Sequence, residues 1–89
     1  MAFKDINPAA KVHVLVIPKI RGRLNKIENA TPEDSSLLGK LLLKATEIAK
    51  TLDLKNGYRL VINNGEDAGQ IVFHLHVHIL GGEKLSGKM

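Results

Sequence analysis

Ile71-Val72-Phe73-His74-Leu75-His76-Val77-His78-Ile79-Leu80 carries three of the four histidines of this 89-residue chain at strict two-residue spacing. Strand side chains alternate between two faces. Read as one strand, this stretch puts Val72, His74, His76, His78 and Leu80 on one face and Ile71, Phe73, Leu75, Val77 and Ile79 on the other. One face is continuously apolar and the opposite one carries a row of imidazoles. Each buried ring would need its own hydrogen-bond solution, so packing alone is a poor reason for three of them. Imidazole titrates near neutrality and can act as nucleophile, acid, base or ligand.

Working outward, Asn63-Asn64-Gly65-Glu66-Asp67-Ala68-Gly69 is polar and turn-rich, and Leu60 to Ile62 with its neighbours is apolar. The order strand, turn, histidine strand predicts an antiparallel hairpin. Gly81-Gly82 ends it, and residues 83 to 89 are polar and expected to be loose. Upstream, Val12 to Ile17 reads as a central strand stopped by Pro18, with His13, Leu15 and Ile17 on one face and Val12, Val14 and Val16 on the other.

Thr31-Pro32-Glu33-Asp34 has the marks of a helix start: a capping residue, proline at the first turn and two acids at the positive end of the dipole. Leu37, Leu38, Leu41, Leu42, Ala45, Ile48, Ala49 and Leu52 follow at three- and four-residue spacing, predicting one amphipathic helix from about Pro32 to about Leu52. Leu43 lies outside this stripe. The helix is expected to close at Asn56 or Gly57 in the left-handed conformation. The predicted architecture is α+β, an antiparallel sheet with one long helix packed on it, in a single domain over residues 1–89.

The bulk numbers narrow the function classes. With no cysteine, the chain has no disulfide, thiol nucleophile or cysteine-based zinc site. Met1-Ala2-Phe3-Lys4-Asp5 lacks the apolar core of a signal peptide, and no apolar run is long enough to span a membrane, so a soluble cytoplasmic protein is expected. The net charge of +4 invites a nucleic-acid reading. Yet the basic residues are scattered and Phe3, Tyr58 and Phe73 are the only aromatics, which is a poor platform for a polymer. A small anionic ligand fits the charge equally well, and a solvated surface fits it better still.

Two chemistries suit the histidines. One is a metal site, since His-x-His on a strand is a real ligand pair, with Glu66 and Asp67 in the loop as possible carboxylates. The other is chemistry at phosphorus: a neutral imidazole attacks, neighbouring imidazoles donate to phosphoryl oxygens and leaving group, and a glycine-rich loop turns backbone N–H groups toward the anion. The second accounts for more features, the loop included.

His74-Leu75-His76-Val77-His78-Ile79-Leu80 resembles the histidine-triad (HIT) superfamily signature, His-φ-His-φ-His-φ-φ with φ apolar. Phe3-Lys4-Asp5-Ile6-Asn7-Pro8, His13-Val14-Leu15-Val16-Ile17-Pro18-Lys19, Gly57-Tyr58-Arg59-Leu60-Val61-Ile62-Asn63, Gly69-Gln70 and Gly81-Gly82 resemble the Hint branch, the histidine-triad nucleotide-binding proteins. The resemblance covers most of residues 2 to 82. It implies a homodimeric purine nucleotide-binding hydrolase of nucleoside 5′-phosphoramidates and related adenylates. Rivals are a dinucleoside polyphosphate hydrolase of the same superfamily and a catalytically weak nucleotide-binding or interaction protein.

By resemblance, His76 attacks the α-phosphorus to form a nucleotidyl-histidine, the carbonyl of His74 orients the other nitrogen of His76, and His78 contacts the phosphate and the leaving-group side. His13 would pair with His74 as an outer support. Asp5 would accept the ribose hydroxyls, Phe3 and Ile6 would line the base pocket, and Asn63 and Gln70 would bind near the phosphate and bridging atom. Gly69, Ile71 and Val72 complete the expected substrate-binding set. Plainer readings stand beside these: Asp5 and Asn63 as turn residues, Gln70 as a loop cap and His13 as a satisfied core histidine.

The sequence also departs from the family pattern. The family usually carries a further N-terminal segment before the position of Phe3, so this chain reads as an N-terminally shortened member. Ile71 stands where Ser or Thr commonly touches the phosphate, and loss of that donor predicts a lower rate. Members with an N-terminal Cys-x-x-Cys bind structural zinc. Here the cysteines are absent and Ile20-Arg21 follows Pro18-Lys19, so neither a metal nor another cofactor is expected.

Overall fold

The computed structural model describes residues 2–4, 11–18, 26–70 and 74–85, with backbone only for Phe3 and Lys4. Among them, four strands form one antiparallel sheet: β1 (Ala2–Lys4), β2 (Val12–Val16), β3 (Tyr58–Val61) and β4 (Val77–Gly81), in the order β1-β2-β4-β3. One helix, α1 (Ser35–Thr51), packs on β2 and β4. The predicted α+β class is the observed one.

β2 and β4 form the centre because both carry apolar residues on the face that meets the helix. Val14, Val16, Leu75, Val77 and Ile79 are buried against Leu41, Ala45 and Ala49 of α1. The three helical residues recur every fourth position, and the two alanines let the helix axis approach the sheet. Burying a valine or isoleucine side chain is worth about 1.5–3 kcal/mol, which makes this layer the main source of stability.

The helix begins three residues later than its spacing suggests and ends at its cap, Leu52, where the spacing stops. Pro32–Asp34 is a 3-10 turn, held where the Asp34 carboxylate accepts the Thr31 backbone N–H at 2.9 Å and the Asp34 N–H donates to the Thr31 carbonyl at 2.8 Å. The left-handed closing residue is Asp53 (φ 57°), directly after Leu52, rather than Asn56 or Gly57. Asp tolerates this region better than most side chains, so the helix closes at its last apolar contact. Gly57 (φ 105°) instead turns the chain into β3. Leu42 belongs to the expected stripe but is exposed, as is Leu43 at 64%, because Leu41 and Ala45 aim the helix a step to one side of it.

The histidine strand is also shorter than expected. It starts at Val77, not Ile71; residues 71–73 lie outside the described residues, and His74 to His76 precede the strand. The reason is the length of its neighbours. Val77 pairs with Val16, the last residue of β2 before Pro18, and His78 pairs with Val61, the last residue of β3. Beyond those pairs neither neighbouring strand offers a ladder partner. β1 was not anticipated: three residues are too few to show alternation, and pairing with β2 at Ala2↔Val16, Phe3↔Leu15 and Lys4↔Val14 makes the strand.

The end of β4 is pinned closely. Gly82 has φ 80°, and a Cβ there would come within 2.8 Å of the Val12 side chain. Glu83, expected in a loose tail, accepts the backbone N–H of Lys11 at 3.0 Å. No helix among the described residues is long and apolar enough to cross a membrane.

Candidate active site

His13 meets His78 and His78 meets His76, while the His74 ring turns to the Pro18 carbonyl, so each histidine is held differently. His78 stands in β4 opposite Leu15, and His13 stands in β2 opposite Leu80. In an antiparallel ladder that makes them diagonal neighbours on one face, within reach of long side chains. His13 Nε2 lies 2.8 Å from His78 Nδ1, with ring centroids 5.0 Å apart and planes inclined by 51°. His13 therefore pairs with His78, not with His74 as expected. Register decides this, because His74 lies six residues before Leu80, the cross-strand partner of His13.

Two facing ring nitrogens can hold only one proton between them: one donates and the other accepts. When His13 Nε2 donates, His78 Nδ1 accepts and the neutral His78 ring carries its hydrogen on Nε2. The donor and acceptor roles reverse only when both rings take their other tautomer, because the shared proton crossing alone would leave an imidazolate beside an imidazolium. His13 is 8% exposed, so water competes little for this bond.

His76 is the most enclosed of the three, at 6% exposure, and its ring meets that of His78 edge-on at 4.9 Å between centroids. Its Nδ1 lies 2.6 Å from the backbone carbonyl of His74. A carbonyl only accepts, so Nδ1 carries the hydrogen. The neutral ring then keeps its lone pair on Nε2. The same carbonyl would stabilise the ring if it gained positive charge. This bond also explains the strand boundary, since the His74 carbonyl is turned to a ring instead of to a ladder. The His74 ring itself reaches the Pro18 carbonyl at 3.4 Å, a long and weak contact.

The loop between β3 and the histidines is built from glycine conformations and side-chain staples. Gly65 and Gly69 both have φ 83°, and Glu66–Ala68 forms a 3-10 turn between them. Gly69 N–H donates to the Glu66 carbonyl at 2.9 Å and Gln70 N–H to the Gly65 carbonyl at 3.0 Å. The buried Gln70 side chain accepts the Gly65 N–H on Oε1 at 2.7 Å, so this oxygen performs the loop-capping role. Asn64, not singled out from sequence beyond the Asn-Gly turn signal, accepts the Glu28 N–H at 3.0 Å and ties the loop to the chain ahead of α1. Asn63 is half-buried at the start of this loop. Asp5, Ile6, Ile71 and Val72 lie outside the described residues, as does the Phe3 side chain.

Among the described residues no three His, Cys, Asp or Glu side chains gather as a metal would require. Instead His13 Nε2 faces His78 Nδ1, and His74 Nε2 and His76 Nδ1 face backbone carbonyls. A family model described as HIT domain matches residues 1–85.

The chain belongs to the HIT-domain family.

Within that family it is similar to a HIT-like protein of Synechocystis sp., with 59% identity over 86 residues that cover 97% of this chain and 74% of the relative. In structure it is similar to a HIT family hydrolase from Legionella pneumophila, at a TM-score of 0.90 and 40% identity, covering 98% of this chain and 77% of that one. It is also similar to a histidine triad nucleotide-binding protein from Candida albicans, at a TM-score of 0.71 and 33% identity over 99% of this chain and 69% of that one. The antiparallel sheet with one long helix is thus the HIT fold.

Proposed function

We propose that this HIT protein is a cytoplasmic, purine nucleotide-binding hydrolase of nucleoside 5′-phosphoramidates and related adenylates, working through a nucleotidyl-histidine at His76. The observation that carries the reading is the 2.6 Å contact from His76 Nδ1 to the His74 carbonyl, because it leaves Nε2 as the only nucleophilic atom of that ring. Similarity to a HIT family hydrolase and to a histidine triad nucleotide-binding protein supports the substrate class.

In the first step the Nε2 lone pair of His76 forms a bond to the α-phosphorus, and the bond from phosphorus to the leaving nitrogen breaks. That nitrogen takes a proton, which the His78 Nε2–H supplies while His13 shares its own proton with His78 Nδ1 across the 2.8 Å bond. In the second step water attacks phosphorus, the bond to His76 breaks, the nucleoside monophosphate leaves, and the proton given up by water returns to the His13–His78 pair. Asp5 would hold the ribose and Phe3 and Ile6 the base, while Asn63, Gly69, Ile71 and Val72 would surround the phosphate, with the Ile71 backbone N–H in place of a hydroxyl. The chemistry so written uses no metal or cofactor.

A homodimer fits the surface. β3 is an edge of the sheet formed by the described residues, and Tyr58 on it is exposed, as are Leu42 and Leu43 of α1. A strand edge and exposed apolar side chains are each surfaces that a second copy can cover. Size-exclusion with light scattering should give twice the chain mass, and a monodisperse monomer would count against the assembly.

The test of the reaction is a single turnover of adenosine 5′-phosphoramidate, with the protein trapped for intact mass, wild type beside His76→Ala. A nucleotide adduct in wild type alone is expected. AMP binding with neither adduct nor turnover would make the chain a nucleotide-binding protein instead. Slow phosphoramidate turnover beside rapid cleavage of a diadenosine polyphosphate would move it to the other hydrolase class.

A further inference from the structure

We propose that Gln70 is a positioning residue of the histidine site, acting through the backbone N–H of Gly65 rather than through the substrate. The inference rests on the proposed reaction only for its kinetic readout. Its structural basis is the way the loop is held. Glu66, Asp67, Ala68 and Gly69 are all exposed, so little apolar burial fixes their path. Gly65 (φ 83°, ψ 178°) and Gly69 (φ 83°, ψ 20°) occupy conformations open mainly to glycine, which is also free to leave them. Something else must select this loop shape.

Two hydrogen bonds do so, both between the same two residues. Gln70 N–H donates to the Gly65 carbonyl at 3.0 Å, and Gly65 N–H donates to Gln70 Oε1 at 2.7 Å. The side-chain oxygen stands where a facing strand residue would offer its carbonyl, so residues 65 and 70 close as a miniature ladder pair. Gln70 is 5% exposed, and a buried amide oxygen makes a far firmer anchor than one that water can reach. On the other side, Asn64 fastens the loop to Glu28.

The chain leaves this closure only a few residues before His74, whose carbonyl fixes the His76 ring. The loop also begins directly after β3, whose final residue, Val61, pairs with His78. Both ends of the stapled segment are therefore joined, within a few residues along the chain, to positions that carry or pair with the histidines. Misplacement of a reacting group by about 1 Å can cost about 100-fold in rate, so a staple at this point in the chain is felt at the nucleophile.

The experiment compares Gln70→Met, which fills the buried volume without an acceptor, with Gln70→Glu, which keeps an oxygen in reach of the Gly65 N–H. Rates of nucleotidyl-His76 formation in single turnover, KM, and hydrogen exchange at the Gly65 amide are measured on the full chain. Gln70→Met should lower kcat by about 10- to 100-fold with KM within about threefold, and should expose the Gly65 amide. Gln70→Glu should recover most of the rate and the protection. A Glu variant as slow as the Met variant, or slower, would overturn the proposal, since it would mean that the Gln70 amide group faces the anionic substrate. A Met variant at the wild-type rate would overturn it equally. If wild type itself shows no turnover, the proposed reaction has failed separately. AMP affinity and Gly65 exchange then decide: loss in Met with recovery in Glu supports the role, and equal values in all three proteins refute it. Should Gln70→Met fail to fold, Gln70→Ala takes its place in the same comparison.

Discussion

His76 and His78 lie two residues apart and are held by different physics. His78 belongs to β4, whose position is set by ladder bonds to β2 and β3 and by the burial of Val77 and Ile79 on either side of it. His76 lies before the strand, where the chain is placed by local hydrogen bonds: its own ring on the His74 carbonyl, and upstream the Gln70–Gly65 closure. The sheet supplies a rigid proton-sharing pair, and the loop side supplies the proposed nucleophile. Changes in the ladder should act mainly on stability and changes before Val77 mainly on chemistry. That separation can be broken by experiment.

The largest effect belongs to His76→Ala. Removing the nucleophile should lower turnover by about 10⁴-fold or more, as loss of a nucleophile does in other covalent enzymes, while cooperative unfolding and the far-UV spectrum are retained. Comparable turnover in the mutant, measured by product formation under saturating substrate, would end the assignment of His76. The opposite case is Ile79→Ala. Ile79 is fully buried beside His78, so the truncation should cost about 2–5 kcal/mol in urea denaturation. Turnover per folded molecule at low temperature should stay within about threefold of wild type. A tenfold fall would show that the ladder and the chemistry are one unit.

His13→Leu lies between these two. It keeps an apolar β2 and removes the partner of His78 Nδ1, so His78 loses control of its tautomer. Loss of such an orienting partner typically costs about 10- to 100-fold, here expected in kcat with KM little changed. An unaltered kcat would reduce His13 to a satisfied core histidine, the plainer of the readings its sequence position allows.

How much of this was legible in the sequence follows the same division. The apolar stripe of α1 and the alternation at Leu75, Val77 and Ile79 could be read because each element repeats its own signal. The pairing of His13 could not, because it depends on register: His13 meets His78 only because Val12 to Val16 run against Gly81 to Val77. The start of β4 was invisible for a related reason, being set by where β2 and β3 end. The contact from His76 to His74 was available only through the family resemblance, since no periodicity tells which way a carbonyl turns. Asn64 was hidden among turn residues, because its partner, Glu28, lies far away along the chain.

The smallest prediction concerns the helix end, where sequence pointed to Asn56 or Gly57 and the chain uses Asp53. Three terms meet in Asp53→Gly. Releasing a non-glycine residue from φ 57° is worth about 1 kcal/mol. Removing a negative charge from the C-terminal end of a helix adds about 0.3 kcal/mol. Against these, the freer glycine lowers stability by about 0.5–1 kcal/mol through the unfolded chain. The ion pair from Asp53 to Lys55 at 3.8 Å is between exposed groups and contributes little in water. The balance is a gain of about 0.5 kcal/mol, or about 2–4 °C in Tm for a chain of this size. Turnover should not change, since this end of α1 belongs to the stability side of the molecule. A lower Tm would mean that the Asp53 carboxylate holds the helix end more firmly than its backbone strain opposes it. A changed rate at unchanged Tm would show that the site draws on the helix as well as on the sheet and loop.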